Sequence, residues 1–361
     1  MIEQAYIHIP FCKRKCKYCS FVSGLDIQLK DYYLSVLKQE IQKRYRGETL
    51  KTIYIGGGTP SLLNENDIKE ILSFFNYSSD AEITLEANPE TVTLEKFSEY
   101  KKIGINRISL GIQTFDNNLL NLIGRKHTEK DILNAVSIIK TAGFKNISID
   151  LIYGLPKQTL EGFTQDIEKA IALDTTHIST YGLKIEKNSF FYNNMPDDIP
   201  NDEIQSNMYM KICKVLKKNK FDHYEISNFA KEGYESKHNC AYWRNKEYYG
   251  FGLNASGYEG NNRYRNTSVL EEYLKNPFQK EETEVLSKKD TMENEIFLAL
   301  RLKQGINIEK LNEKYNINFL ENYNEIIKKY ENTGLTEIKD GFFKLNEKGF
   351  LLSNEIMSEF L

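Results

Sequence analysis

The sequence predicts an α/β fold: a partial (βα)6 barrel with a small C-terminal winged-helix-like domain. Two observations carry the barrel. Short apolar segments alternate with amphipathic ones through the first half of the 361-residue chain, the pattern of a parallel sheet covered by helices. Polar and cysteine-bearing segments recur just past those apolar runs, and a parallel βα barrel builds its site at the C-terminal rim of its strands. A third observation carries the second domain. From about Leu286 the pattern changes to three helical stretches, two short strands and a final helix.

Taken in order, Ala5–Ile9 reads as the first strand, and the run HIPFCKRKCKYCSF begins inside it and continues past its end. Leu29–Arg46 has helical spacing. The strand Thr52–Ile55 leads into Gly56-Gly57-Gly58-Thr59-Pro60 and then the helical stretch Asp67–Phe75. Glu82–Glu86 ends on a carboxylate, ahead of Leu94–Lys102. Arg107–Gly111 stops just short of Gln113, and Glu129–Ala142 follows, with Ile132, Leu133, Val136 and Ile139 at helical spacing. Ile147–Ile152 holds Asp150 and precedes Leu160–Leu173, and His177–Tyr181 closes the set. Beyond it, Glu203–Asn219 reads as a helix, while the aromatic and glycine-rich stretch 221–264 resists assignment. The last segment reads as helices over Met292–Leu302, Ile308–Tyr315 and Leu320–Asn332, strands over Leu335–Lys339 and Phe342–Leu345, and a helix from Glu347. The expected division is a barrel over 1–225, a connecting region over 226–285 and a C-terminal domain over 286–361.

Composition narrows the function. The net charge is −3, which leaves no basic footprint for nucleic acid. Residues 286–361 carry 11 Lys and Arg against 13 Asp and Glu, a net −2, so the winged-helix-like segment reads as a packing or docking module. Five cysteines, three of them clustered, argue against a disulfide framework and for a reducing compartment. With no apolar run long enough to span a bilayer and no apolar leader, the expectation is a cytosolic protein. Any place at the membrane periphery would come through its partners.

Cys12, Cys16 and Cys19 form C-x3-C-x2-C with no fourth cysteine close behind. A cubane iron–sulfur cluster normally takes four thiolates, so three leave one iron open to a small molecule. A partial zinc site completed by His8 is the alternative. The glycines of GGGTP let a ligand approach the main chain closely, and the stretch lacks both the dinucleotide fingerprint and a phosphate-binding lysine. Glu86, Gln113, Arg125 and Asp150 add a polar set at successive strand ends, with Arg125 suited to a carboxylate through its fork of donors.

The segments YIHIPFCKRKCKYCSF, IYIGGGTPS, LEANPE, RISLGIQTF, GRKHT and IDLIYGLP resemble, in that order, the radical S-adenosylmethionine (SAM) superfamily. Within it they are similar to the HemN/HemW family, which holds oxygen-independent coproporphyrinogen III oxidases and heme chaperones. The resemblance covers about residues 1–260 and continues more weakly beyond. It implies a radical SAM barrel in which Cys12, Cys16 and Cys19 hold a [4Fe-4S] cluster. Tyr6, Tyr18, Gly57, Gly58, Thr59, Glu86, Gln113, Arg125 and Asp150 would contact SAM. Three features favour the chaperone branch. Phe21 stands where the oxidase has a further cysteine, the cluster motif lies near the start of the chain, and His238-Asn239-Cys240-Ala241-Tyr242-Trp243 fits the heme signature H-N-x-x-Y-W.

The expected function is therefore a heme chaperone that binds heme and delivers it to apo-hemoproteins, respiratory ones first. It would carry a cluster and SAM, have an unspecified electron donor, bind no nucleic acid and have a homodimer open to it. His238 is the expected ligand of the heme iron, with Asn239, Tyr242 and Trp243 beside it and the Cys240 thiolate as the alternative ligand. The second reading is a radical SAM enzyme such as coproporphyrinogen III oxidase, which performs an oxidative decarboxylation in heme biosynthesis.

Overall fold

The computed structural model describes residues 1–24 and 26–361. Six parallel βα units form its first half. In chain order they are β1 (Gln4–Ile9), α1 (Lys30–Arg44), β2 (Leu50–Gly57), α2 (Glu65–Leu72), β3 (Tyr77–Ala87), α3 (Leu94–Lys102), β4 (Arg107–Gln113), α4 (Asn117–Leu122), α5 (Glu129–Thr141), β5 (Asn146–Tyr153), α6 (Leu160–Ala172) and β6 (His177–Gly182). The strands follow a strict period of two. In β4, Ile108, Leu110 and Ile112 are wholly buried outward under the helices, while Arg107, Ser109, Gly111 and Gln113 face the other way. Similar alternation in β2 (Thr52, Tyr54, Gly56) and β5 (Ser148, Asp150, Ile152) gives the barrel a polar interior inside an apolar coat.

After the short α7 (Phe190–Asn193) and the long α8 (Asp202–Lys218), the chain adds to this sheet at both edges. The hairpin β7 (Asp222–Glu225) and β8 (Asn228–Ala230) pairs antiparallel beside β6. Helix α9 (Lys237–Trp243) follows, and then β9 (Tyr249–Phe251), which pairs parallel to β1. The strand order is β7-β8-β6-β5-β4-β3-β2-β1-β9. The expected boundary at residue 225 therefore falls inside a hairpin of the main sheet, and the connecting region supplies the opposite edge strand. Strands this short, of three or four residues, are below the length at which alternation can be read.

The rest of that region is an antiparallel sheet of β10 (Ser256–Glu259), β11 (Asn262–Asn266) and β12 (Lys280–Val285), with α10 (Leu270–Lys275) between the last two. The C-terminal domain contains α11 (Lys288–Ala299), β13 (Ile306–Asn307), α12 (Ile308–Tyr315), α13 (Phe319–Asn322), α14 (Asn324–Asn332), β14 (Thr336–Lys339), β15 (Phe342–Leu345), α15 (Glu347–Leu351) and α16 (Ser353–Ser358). The expected helix over 320–332 is divided at Tyr323, and a third strand, β13, joins the expected pair in the order β13-β15-β14. This domain is hydrogen-bonded to the barrel sheet: Ile226 N–H donates to Arg301 O at 3.1 Å and Lys303 N–H donates to Tyr224 O at 3.0 Å.

One buried carboxylate ties the edge of the barrel to the added sheet. Glu40 of α1, with no exposed surface, accepts from Arg44 Nη1 at 2.6 Å, Asn266 Nδ2 at 2.9 Å, Gly252 N–H at 2.8 Å and Tyr273 Oη at 2.9 Å. All four lone-pair directions are used, which is the condition under which a buried charge is tolerated. Glu40→Ala removes one of the two carboxylates paired with Arg44, the other being Glu259 at 2.7 Å, and leaves Gly252 N–H and Tyr273 Oη without this buried acceptor. It should cost about 2–4 kcal/mol, read as a lowered urea midpoint at unchanged slope.

Candidate functional site

The C-terminal rim of the barrel opens into a cavity of about 370 Å³. Cys12, Cys16 and Cys19, on the loop after β1, all line it. Gly58 packs directly beneath this loop. A Cβ there would lie 2.6 Å from Phe11 O and 3.0 Å from Cys12 Sγ, so only glycine fits. Thr59 Oγ1 reaches Cys12 Sγ at 3.5 Å. His8 takes no part: its Nε2–H donates to Val22 O at 3.0 Å and its Nδ1 accepts from Tyr6 at 3.0 Å. Burial lowers the His8 pKa to about 4, which keeps the ring neutral. Among the described residues no three His, Cys, Asp or Glu side chains converge to hold a single metal ion. With both ring nitrogens bonded inside the fold, His8 is not presented as a fourth ligand beside the cysteines.

The wall of the cavity carries the rest of the polar set. Tyr18, Gly57, Gly58, Thr59, Glu86, Gln113, Arg125 and Asp150 all line it. Tyr6 does not. It sits inside the barrel with its hydroxyl on His8 and its ring stacked on Tyr54, centroids 6.1 Å apart. The expected Tyr6 contact with SAM is not offered by this arrangement: Tyr6 lies beside its register partner Tyr54 with its hydroxyl turned to His8 instead of the cavity. Gln113 is the last residue of β4, not a residue beyond it, and adopts φ +68°.

Arg125 is a buried cation with capacity to spare. Nη1 donates to Asn88 Oδ1 at 2.6 Å and Nη2 to Tyr18 Oη at 2.9 Å, while Nε is buried with no partner. No carboxylate forms an ion pair with it among the described residues, so a ligand carboxylate would meet an unneutralised guanidinium. Glu86 accepts from Tyr54 Oη at 2.8 Å and from Gly57 N–H at 3.0 Å. Burial pushes its carboxyl up to about 7 against those two donors, and the charge of Asp150 pushes in the same direction. Asp150 is itself raised by burial and accepts from Ser109 Oγ at 3.1 Å. Tyr54, Asn88, Ser109 and Tyr181 also line the cavity. None was singled out as a ligand residue from the sequence. The signal was the period of two: Tyr54 precedes Gly56, Asn88 follows Glu86, and Ser109 follows Arg107 on the same inward face.

The heme signature lies at the other end of the barrel. Ser236 caps α9, and Asn239 N–H bonds to its Oγ at 3.3 Å. Glu82 of β3 receives Lys237 N–H at 3.1 Å and His238 N–H at 3.0 Å, which pins the helix across the N-terminal end of the strands. His238 is 1 % exposed. Its Nδ1 is bonded to Thr52 Oγ1 at 2.7 Å and its Nε2 to Tyr242 Oη at 2.7 Å. Burial beside Arg107 lowers its pKa to about 3. Cys240 is packed against Tyr224 and Leu302, its thiol pushed up to about 12 by burial. Of the motif, Tyr242 and Trp243 alone line an open cleft, of about 440 Å³. In this structure, then, neither His238 nor Cys240 is presented to a ligand, contrary to the expectation that one of them meets the iron.

With the geometry in place, comparison with known proteins gives the class. Residues 6–170 match the radical SAM superfamily and residues 286–352 match the HemN C-terminal domain. The structure of coproporphyrinogen III oxidase (HemN) from Escherichia coli, a radical SAM enzyme, superposes with a TM-score of 0.88 at 23 % identity, covering 99 % of this chain and 90 % of that one. The chain belongs to the HemW family of radical SAM proteins. Relatives named heme chaperone HemW include one from Lactococcus lactis subsp. lactis, 42 % identical over 99 % of this chain and 97 % of its own. Another, from Bacillus subtilis, is 38 % identical over 100 % and 99 % respectively. Membership implies a [4Fe-4S] cluster and SAM; three cysteines on one loop facing the cavity and the unspent Arg125 donors are the residues that would hold them. No described helix is long and apolar enough to cross a membrane.

Two outcomes test the cavity. Gly58→Ala should abolish cluster loading, read as iron content after reconstitution, while the fold persists by circular dichroism. The Glu86 carboxyl, protonated below about 7, must ionise to hold a cationic or hydroxyl-bearing ligand. SAM affinity should therefore rise with pH through that value and then level off, and Glu86→Gln should flatten the profile.

Proposed function

We propose that this chain is a heme chaperone, binding heme and handing it to apo-hemoproteins. The observation that carries the reading is the full-length similarity to relatives of that name, 42 % and 38 % identical. The H-N-x-x-Y-W residues support it, since two of them line an aromatic cleft away from the SAM cavity. In this reading the loop cysteines hold the cluster and Arg125, Glu86 and Asp150 hold SAM. The cluster, when bound, supplies an open iron for SAM. Around it the chain's own residues have separate tasks. Arg125 orients a carboxylate, Gly57 and Gly58 keep the main chain within reach, and Thr59 donates to the Cys12 sulfur. Recipients in the respiratory chain and a cytosolic location belong to the same proposal.

The complete SAM cavity also favours a second reading, a radical enzyme acting on a porphyrinogen. Phe21 argues against it: this residue lines the cavity in place of a further cysteine.

An anaerobic titration of the cluster-loaded protein with heme, followed by transfer to apomyoglobin, tests the first reading. Saturable binding at one heme per chain and conversion of apomyoglobin to its heme form are expected. Release of carbon dioxide from coproporphyrinogen III in the presence of SAM and a reductant would establish the enzyme instead.

A further inference from the structure

Strand β4 ends in a conformation that its sequence does not favour. Thr114 N–H donates to Ile112 O at 2.9 Å, closing a three-residue turn around Gln113, whose φ of +68° lies in the left-handed region. A bond of that span around a positive φ is a γ-turn, a strained form for a residue with a side chain. The ladder is irregular at the same point. Gly111 pairs with Asp150 of β5 but Gln113 with Leu151, so β4 carries one residue more than its partner. The turn brings the Gln113 side chain into the rim cavity. Its amide folds back over Gly111, where a Cβ would lie 2.8 Å from Gln113 Nε2 and 3.4 Å from Arg125 Nη2. Gln113 is 6 % exposed, and among the described residues its amide has no hydrogen-bond partner.

A strained turn persists only where its surroundings hold it, and α6 supplies the hold. Asp166, 4 % exposed, accepts from Thr114 Oγ1 at 2.7 Å and from Phe115 N–H at 2.8 Å. Burial pushes its carboxyl up to about 6 against those two donors and Lys169, with Asp116 pushing the same way as burial. At neutral pH both oxygens therefore accept. Thr114 Oγ1 takes the Asp116 N–H at 3.1 Å, which leaves its own proton for Asp166. On the other side of the turn, His127 Nε2–H donates to Ile112 O at 3.1 Å. Asp166, Thr114 and His127 all stand outside the cavity lining. We infer that Asp166 is a positioning residue for SAM, locking from outside the cavity the γ-turn that keeps the Gln113 amide beside Arg125. The inference rests on SAM occupying the rim cavity and adds a residue to the support of that site.

A carboxylate suits this task because its two oxygens meet two donors from one rigid group. The Thr114 side chain and the Thr114–Phe115 peptide are fixed together, and the turn before them is fixed with them. Removing the carboxylate leaves two buried donors without acceptors. It also frees residue 113 to leave the positive φ for the extended region that a side chain prefers. The amide then quits its place over Gly111. An amide held beside a guanidinium lengthens the row of donors that a carboxylate-bearing ligand meets. A loose one must first be ordered, and that entropy is subtracted from binding. Asp166 thereby matters to SAM without touching it.

The test is anaerobic equilibrium dialysis of radiolabelled SAM against the full-length, cluster-loaded protein. Wild type is compared with Gln113→Ala, Asp166→Ala and the double variant. Iron content and circular dichroism confirm that each is loaded and folded. If Asp166→Ala is not, Asp166→Asn takes its place, keeping the acceptor for Phe115 N–H and giving up the one for Thr114, and the same coupling is read. Gln113→Ala should weaken SAM about tenfold, and Asp166→Ala by a similar factor. The double variant should bind no more weakly than Gln113→Ala, because the clamp acts only through that amide. A general scaffold role would give the same loss whether or not the amide is present. Wild-type affinity in a folded Asp166 variant would overturn the assignment, as would losses that multiply to about a hundredfold in the double variant. Absence of saturable SAM binding by wild type would instead overturn the reading of the cavity.

Discussion

The barrel depends on one constraint: every strand must turn apolar residues outward to the helices and polar residues inward. The outward set (Ile53, Ile55, Ile83, Leu85, Ile108, Leu110, Ile147 and Ile149) is almost wholly buried and supplies the hydrophobic core. The inward set then has to satisfy itself, because unpaired polar groups away from water are expensive. Ser148 bonds His177, Tyr54 bonds Glu86 and Thr52 bonds His238. Where this network reaches the rim it is left partly unspent, and those spare donors and acceptors line the cavity there.

The same constraint explains how much of the molecule could be read in advance. The six parallel strands were legible because each has several outward apolar residues at fixed spacing, and Leu94–Lys102 and Ile308–Tyr315 have the bounds expected for them. The cysteine loop and GGGTP were legible because their chemistry is local. The segment after Phe221 was not. Its strands run three to six residues, and their place in the sheets is fixed by partners far away, β9 beside β1 and β8 beside β6. Side-chain direction was the other limit. Tyr6 and His238 are the residue types a ligand wants, but the Tyr6 hydroxyl turns to His8, and His238 is held by Thr52, a contact across 186 residues of chain that no local pattern shows.

Helix α9 closes the lower end of the barrel. It contributes His238 to the interior network and Tyr242 and Trp243 to the outside. The C-terminal domain packs behind it: α11 supplies Leu298 to the cleft, and Arg301 lies over Trp243. The domain thus has a packing role beside α9 and the barrel sheet.

Tyr54 stands between the two ends. Its hydroxyl donates to Glu86 in the rim cavity at 2.8 Å, and its ring lies 5.2 Å from that of His238. One side chain thus touches both the rim cavity and helix α9. Thermodynamic linkage then makes the effect reciprocal. Whatever factor SAM exerts on heme affinity through Tyr54, heme exerts on SAM affinity, and a tenfold factor corresponds to about 1.4 kcal/mol in either direction.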